Sequence, residues 1–329
     1  MRVVVTGAAG FIGSQVADRL LDLGHEVWAV DNFDPYYDPA QKWRNVARAK
    51  QSQGYHLREV DVRNREALAA VFDEAAPSAV VHLAARAGVR ASVESPLSYI
   101  EVNELGGFYV LDECLRRGKL PLVLASTSSV YGASTNTPFR ETEPACEPLS
   151  PYAASKRASE LMAYAYWHIH RQPTVMLRFF TVYGPRGRPD MAYAKFTEAM
   201  LRNEPIRLHG PDTERDFTYI DDIVDGVVGA MGWLSRERVT ATFNLGGRSP
   251  INIRRMVTLL ADRLGRVPRI EMGSLQPGES LKTAADTSAA ERAFGFVPKV
   301  SIAEGTGRWV DWLRSEESSP EIRQLLHGA

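Results

Sequence analysis

"TGAAGFIGS", residues 6–14, follows the apolar run Arg2-Val-Val-Val directly and leads into the amphipathic stretch Ser14–Leu23. Gly7, Gly10 and Gly13 have the spacing GxxGxxG. Gly7 permits a tight turn, Gly10 lets backbone N–H groups approach a pyrophosphate, and Gly13 lets the helix pack close to the strand. Phe11 and Ile12 fall at the start of that helix, beside the phosphate position. A glycine motif alone is an ordinary strand-to-helix turn; its place after a strand and before a helix makes it a dinucleotide fingerprint. The second apolar run, Glu26–Val30, ends on Asp31, 18 residues after Gly13, with Asn32 next. A carboxylate there accepts hydrogen bonds from both ribose hydroxyls and repels a 2′-phosphate, which selects NAD over NADP. Asp61 and Val62 follow the third run, where side chains meet the adenine edge.

Working outward, short β-branched runs at Val3–Thr6, Glu26–Val30, His56–Val60, Ala79–Leu83, Pro121–Ala125 and Val175–Phe180 alternate with helical patterns such as Arg65–Ala75. That alternation predicts an α/β, Rossmann-type doubly wound parallel sheet. Past residue 180 the texture changes, with Gly184-Pro185, Arg188-Pro189 and Gly210-Pro211 breaking the chain into shorter elements. We therefore expect a dinucleotide-binding domain over 1–180, a smaller C-terminal substrate-binding lobe over 181–329, and a return of the chain to the sheet near 217–246. Ser95–Arg117 and Tyr152–His170 each read as one helix. Their exposed Leu, Tyr, Met and Trp side chains suit a homodimer contact.

Bulk properties narrow the partners. The 329 residues are 44% hydrophobic and 24% charged, with a formal net charge of −1. No global basic field argues for nucleic acid, and no run of 18 apolar residues argues for a membrane span. The N-terminus enters a strand at once, which leaves no room for a signal peptide. Cys114 and Cys146 form no CxxC, and the seven histidines show no metal spacing: His168 and His170, two apart on a helix, face different ways. The expectation is a cytoplasmic protein without a disulfide framework or a metal.

Chemistry enters at Tyr152-Ala-Ala-Ser-Lys156. Residues four apart share a helix face, so phenol and ammonium can point into one cleft. A lysine cation and a positive nicotinamide ring both favour phenolate, which makes Tyr152 usable as a base near neutral pH. Some 25 residues earlier, the run ending at Ala125 continues into Ser126-Thr-Ser-Ser129, four hydroxyl side chains in a row.

Taken together, TGAAGFIG, the Asp31 strand, His82-Leu-Ala-Ala85, Asn103, STSSVYG (126–132), YAASK, Leu177-Arg-Phe-Phe180 and Arg215-Asp-Phe-Thr-Tyr-Ile-Asp-Asp222 resemble the extended short-chain dehydrogenase/reductases over nearly the whole chain. That family acts largely on nucleotide sugars. The resemblance implies that Tyr152 is the base, that Lys156 binds the nicotinamide ribose and lowers the tyrosine pKa, and that Thr127 bonds the reacting hydroxyl. It further implies cofactor contacts from Leu83, Ala84, Ala85 and Asn103, and a substrate contact from Arg86.

The hydroxyl run sorts the chemistry. Family members that eliminate water resemble TDEVYG, and decarboxylases of nucleotide-linked glucuronate resemble TSEVYG. Here those two positions are Ser128 and Ser129. A hydroxyl cannot replace a carboxylic acid in elimination; what remains is reversible oxidation and reduction at one carbon, an epimerisation. Small donors also suit an anionic sugar, which a carboxylate would repel. "TVYGPRGRPDMA", 181–192, resembles the segment by which UDP-glucuronate epimerases hold the sugar carboxylate, pointing to Thr181 and Arg188, with Arg186 left open as the partner. UDP-glucose epimerases typically carry Asn in place of Thr181. Arg215 resembles the diphosphate arginine. Gln276 and Glu279 stand where the glucose epimerases carry Arg and Asp, and the Gln fits the glucuronate subgroup better. The rivals are a UDP-glucose/galactose 4-epimerase, a decarboxylase, and a silent NAD-binding scaffold.

Overall fold

The computed structural model describes residues 1–210, 212–274, 278 and 280–327. Strands β1 (Arg2–Thr6), β2 (Glu26–Asp31), β3 (Tyr55–Glu59), β4 (Ala79–His82), β5 (Leu122–Thr127) and β6 (Thr174–Phe179) carry the β-branched runs. β-Branched side chains pack well on a pleated surface, and strands covered on both faces read as continuous apolar runs. With Thr240–Leu245 they form one seven-stranded sheet in which every pairing is parallel. β1 pairs with both β2 and β4, so the strand order reverses there. A crevice opens at such a reversal, at the carboxyl ends of the strands.

The glycine turn is built as its spacing demands. Gly7 has φ +69°, and a Cβ there would lie 2.6 Å from the Ala84 nitrogen. At Gly13 a Cβ would lie 2.0 Å from the Gly7 carbonyl oxygen, so the helix Phe11–Asp22 can sit this close only without a side chain. The helix Pro151–His170 starts where its cap dictates: the Ser150 hydroxyl accepts from the Ala153 N–H, and Pro151 fills the first turn. Tyr152 and Lys156 thereby come to the mouth of the crevice, one turn apart.

The segment 95–117 corrects the expectation of a single helix. A short turn, Pro96–Tyr99, runs into a π-helix, Ile100–Gly106, and α-helix resumes at Gly107–Arg116. Two contacts account for the widened turn. Asn103 is drawn sideways, accepting from the Arg86 N–H at 2.8 Å and donating to the Arg86 carbonyl at 3.0 Å. Gly106 lies against Val62, where a Cβ would come within 2.7 Å of Cγ2. Periodicity does not register one inserted residue.

Beyond β6, β7 (Thr181–Tyr183) pairs parallel with β9 (Glu214–Tyr219), and β8 (Pro205–His209) pairs parallel with Arg269–Gly273. The helix Ile220–Glu237 then packs on Phe11–Asp22, and β10 (Thr240–Leu245) lies beside β6. One apolar cluster runs from Val3 and Leu20 through Leu177, Tyr183, Ile206 and Phe217 to Trp309 and Leu313. One face of the main sheet and the later elements therefore share a core, while a separate cluster from Val4 to Leu122 lies on the sheet's other side.

Candidate active site

Two cavities meet above the carboxyl ends of the strands. The first, about 390 Å³, runs from Gly7, Gly10, Phe11, Ile12 and Gly13 past Asp31, Asn32, Asp61 and Val62 to Tyr152 and Lys156. The second, about 780 Å³, lies against the later elements and is bordered by Arg90, Lys195, Arg207, His209 and Arg215. Ser128, Ser129, Thr181 and Arg188 line both, with Tyr36 and Met191 beside them.

In the first cavity Asp31 is buried and braced. One oxygen accepts from the Ala9 N–H at 3.0 Å, the other from the Phe33 N–H at 2.8 Å, and the Lys42 ammonium stands 3.7 Å away. Lys42 carried no sequence signal; its place comes from the short helix Pro39–Val46 folding back over Asp31. Asn32 donates to Asp61 at 2.9 Å, and the hydrogen bond from Arg63 holds the Asp61 carboxyl down to about 2. Leu83, Ala84 and Ala85 form the facing wall, the Ala84 N–H donating to the Thr6 hydroxyl at 3.2 Å. Asn103 does not reach the cavity. Its amide bonds the Arg86 backbone and the Ser155 hydroxyl, so it fastens that wall to the tyrosine helix from behind.

At the reaction centre, the four hydroxyls divide. Ser126 lines the first cavity, and its hydroxyl donates to the buried Glu160 at 2.6 Å. Thr127 donates to Ser129 at 3.2 Å and accepts from the Ser129 N–H at 3.1 Å, and a 3₁₀ turn, Ser128–Tyr131, carries Ser128 and Ser129 to the junction of the cavities. Burial pushes the Tyr152 phenol up, while the Thr127 hydrogen bond and the Arg188 charge pull it back. The Lys156 ammonium donates to the Ala125 carbonyl at 2.8 Å; burial draws it down to about 8, opposed by the Glu160 charge.

Glu160, a further turn along the same helix face, escaped the sequence reading although its spacing from Lys156 was visible. It accepts from Arg178 at 2.9 and 2.8 Å and from Arg157 at 2.8 Å. Burial acts to raise its carboxyl, and Arg178, Ser126 and Arg157 together outweigh burial and hold it below the usual range.

Arg188 turns both Nε and Nη2 onto the carboxylate of Asp190, at 2.8 Å each. Arg186, the open alternative, lies elsewhere: it bonds Asp18 at 2.8 Å, stands 3.8 Å from Glu317, and lines neither cavity. Arg86 lines the first cavity, not the second, and is tied to Ser98 at 3.1 Å and to Asp34 at 3.4 Å. Arg215 borders the second cavity and donates to the Glu214 and Leu281 carbonyls. Gln276 and Glu279 lie outside the described residues. Among the described residues, no helix is long and apolar enough to cross a membrane.

A doubly wound sheet, a glycine turn, a braced ribose carboxylate and a Thr–Tyr–Lys set define a dinucleotide-dependent enzyme. The chain belongs to the NAD dependent epimerase/dehydratase family, whose model matches residues 3–246. NAD is its cofactor. It is 40% identical to a UDP-glucuronate 4-epimerase of Thermodesulfobacterium geofontis, covering 98% of each chain. It is also 40% identical to a probable UDP-glucuronate 4-epimerase of Rhizobium meliloti, over 95% of this chain and 96% of the other. Among solved structures it is similar to the UDP-glucuronic acid 4-epimerase of Bacillus cereus in complex with UDP-glucuronic acid and NAD. The TM-score is 0.89 and the identity 32%, with 99% of this chain and 100% of that one covered. The Thermus thermophilus UDP-glucose 4-epimerase with NAD follows at TM-score 0.85 and 33% identity, over 96% and 100%.

Proposed function

We propose that this enzyme interconverts UDP-glucuronate and UDP-galacturonate by epimerisation at C4. The observation that carries this reading is the junction of the two cavities. Hydroxyl donors and an arginine stand there, at Ser128, Ser129, Thr181 and Arg188, and the two serines hold the positions where dehydratases resemble carboxylate-bearing TDEVYG. Curated relatives and a structural neighbour bear the same activity in their names.

Bound NAD⁺ supplies a hydride acceptor that is regenerated in each cycle. Gly10, which lines the first cavity between strand and helix, would let backbone N–H groups approach its pyrophosphate, and Asp31 would receive its adenosine ribose. Tyr152 as phenolate takes the proton of the C4 hydroxyl, which Thr127 orients, as the hydride leaves C4. Lys156 holds the nicotinamide ribose, and its charge favours the phenolate. The 4-keto sugar turns about its diphosphate linkage, which Arg215 anchors, and regains hydride on the opposite face while Tyr152 returns the proton. An acid sugar adds a hazard: with a ketone at C4, the C6 carboxylate belongs to a β-keto acid. Fixing that carboxylate at Ser128, Ser129, Thr181 and Arg188 keeps the C5–C6 bond from aligning with the carbonyl π system and losing CO₂.

In this reading residues 1–180, with 217–246, carry the dinucleotide, and the rest of 181–329 carries the sugar nucleotide. We further propose a homodimer, because Leu97, Ile100, Leu161, Tyr164 and Ile169 are exposed on two neighbouring helical segments. A cytoplasmic setting agrees with the free thiols of Cys114 and Cys146.

The test is purified protein incubated with UDP-glucuronate and, separately, with UDP-glucose, the products read by NMR at C4. UDP-galacturonate is the expected product. Turnover of UDP-glucose alone overturns the assignment in favour of a neutral-sugar epimerase.

A further inference from the structure

Arg188 offers a guanidinium fork that matches a carboxylate in two parallel bonds. That fork is already taken within the chain. Nε and Nη2 meet Oδ1 and Oδ2 of Asp190, two residues on, at 2.8 Å each, across the fixed φ of Pro189. Nη1 makes no hydrogen bond among the described residues. Neither partner is deeply enclosed: the side chains are 22% and 31% exposed. Asp190 lines the second cavity, and its Oδ2 also accepts from the Tyr36 hydroxyl at 3.4 Å.

We propose that Asp190 is a specificity-determining residue: it occupies the carboxylate-binding fork of Arg188 and sets how strongly an acid sugar is preferred to a neutral one. The proposal rests on the reading that Arg188 meets the C6 carboxylate of the sugar. A sugar carboxylate gains the fork only by turning Asp190 out. It gains Nη1 only with a like charge held close by. Both routes weaken binding of the acid sugar, and neither touches a sugar with a neutral C6 hydroxymethyl. Without a ligand, the pair also spares the cavity an uncompensated cation, which is costly to keep away from water.

The experiment uses NAD-loaded protein carrying Tyr152→Phe, so that turnover is slow, and measures Kd for UDP-glucuronate and UDP-glucose by calorimetry. Asp190→Asn should tighten UDP-glucuronate about 10-fold, the lower end for a charge-assisted hydrogen bond, and leave UDP-glucose unchanged. Asp190→Ser, which cannot reproduce the fork, should act in the same direction. In an Arg188→Ala background the tightening should vanish. If Asp190→Asn leaves UDP-glucuronate unchanged or weakens it, while Arg188→Ala still weakens it, Asp190 merely orients Arg188 and the proposal falls with the Arg188 reading intact. Tightening that persists without Arg188 overturns it too, since the effect would then be simple repulsion. If Arg188→Ala leaves acid-sugar affinity unchanged, the reading beneath the proposal fails. Retained NAD and an unchanged Tm identify variants that have folded.

Discussion

The Lys156 ammonium donates to the Ala125 carbonyl at 2.8 Å, one helical turn from Tyr152, whose phenolate is also favoured by Thr127 and Arg188. Burial raises the phenol, and these two lower it in part. The base works deprotonated, so kcat should rise with pH along an acid limb. Arg188→Ala removes a charge that favours phenolate and should move the acid limb to higher pH. An acid limb that stays in place in the pH–kcat profile would show that Arg188 does not act on the base.

Tyr152→Phe should keep NAD and bind the sugar nucleotide, yet lose at least about 100-fold in kcat, the scale of a positioned proton-transfer group. Thr127→Val should lose less, because it removes one hydrogen bond and no base. Near-normal turnover by the Phe variant in a coupled product assay would take Tyr152 out of the reaction.

Beneath the site, Glu160 joins Ser126, Arg157 and Arg178 in one buried network. Glu160→Ala strands the Arg178 charge and should cost about 3–5 kcal/mol in chemical denaturation. Its folded pKa lies below the ordinary 4.5. The stability that Glu160 contributes is therefore complete above that value and lost as pH falls through the folded pKa. Equal stability of wild type and variant at pH 7 would show that the network contributes little.

Ser129→Glu puts a carboxylate where the two cavities join. It should weaken UDP-glucuronate and free the C5–C6 bond of the 4-keto sugar, so that CO₂ escapes and the hydride is stranded as NADH. Absorbance of reduced cofactor, with NMR of the pentose product, measures this. Wild-type affinity with no NADH would place residue 129 away from the sugar carboxylate.

Local physics was legible where backbone geometry and residue type coincide. The glycine turn needed residues without Cβ, Asp31 ended a strand, and Tyr152 and Lys156 shared a helix face; each was visible in spacing alone. What stayed hidden depended on tertiary neighbours. Arg186 and Arg188 stand two apart in one glycine- and proline-rich segment, yet one is pinned to Asp18 of the first helix and the other turns to the cavities. Lys42 reaches Asp31 through a chain reversal that no periodicity encodes. The π turn at Ile100–Gly106 answers contacts with Arg86 and Val62, which are close in space and not in sequence.

The apolar cluster from Val3 to Leu313 bears on how a sugar can swivel. Because both halves of the molecule draw on one fused interior, they do not swing apart as hinged leaves, and separating them would bare greasy surface on each. The housing stays rigid, and the ring tumbles inside it on its diphosphate tether. Cut near residue 180, neither fragment should fold alone, and the intact chain should melt in one step.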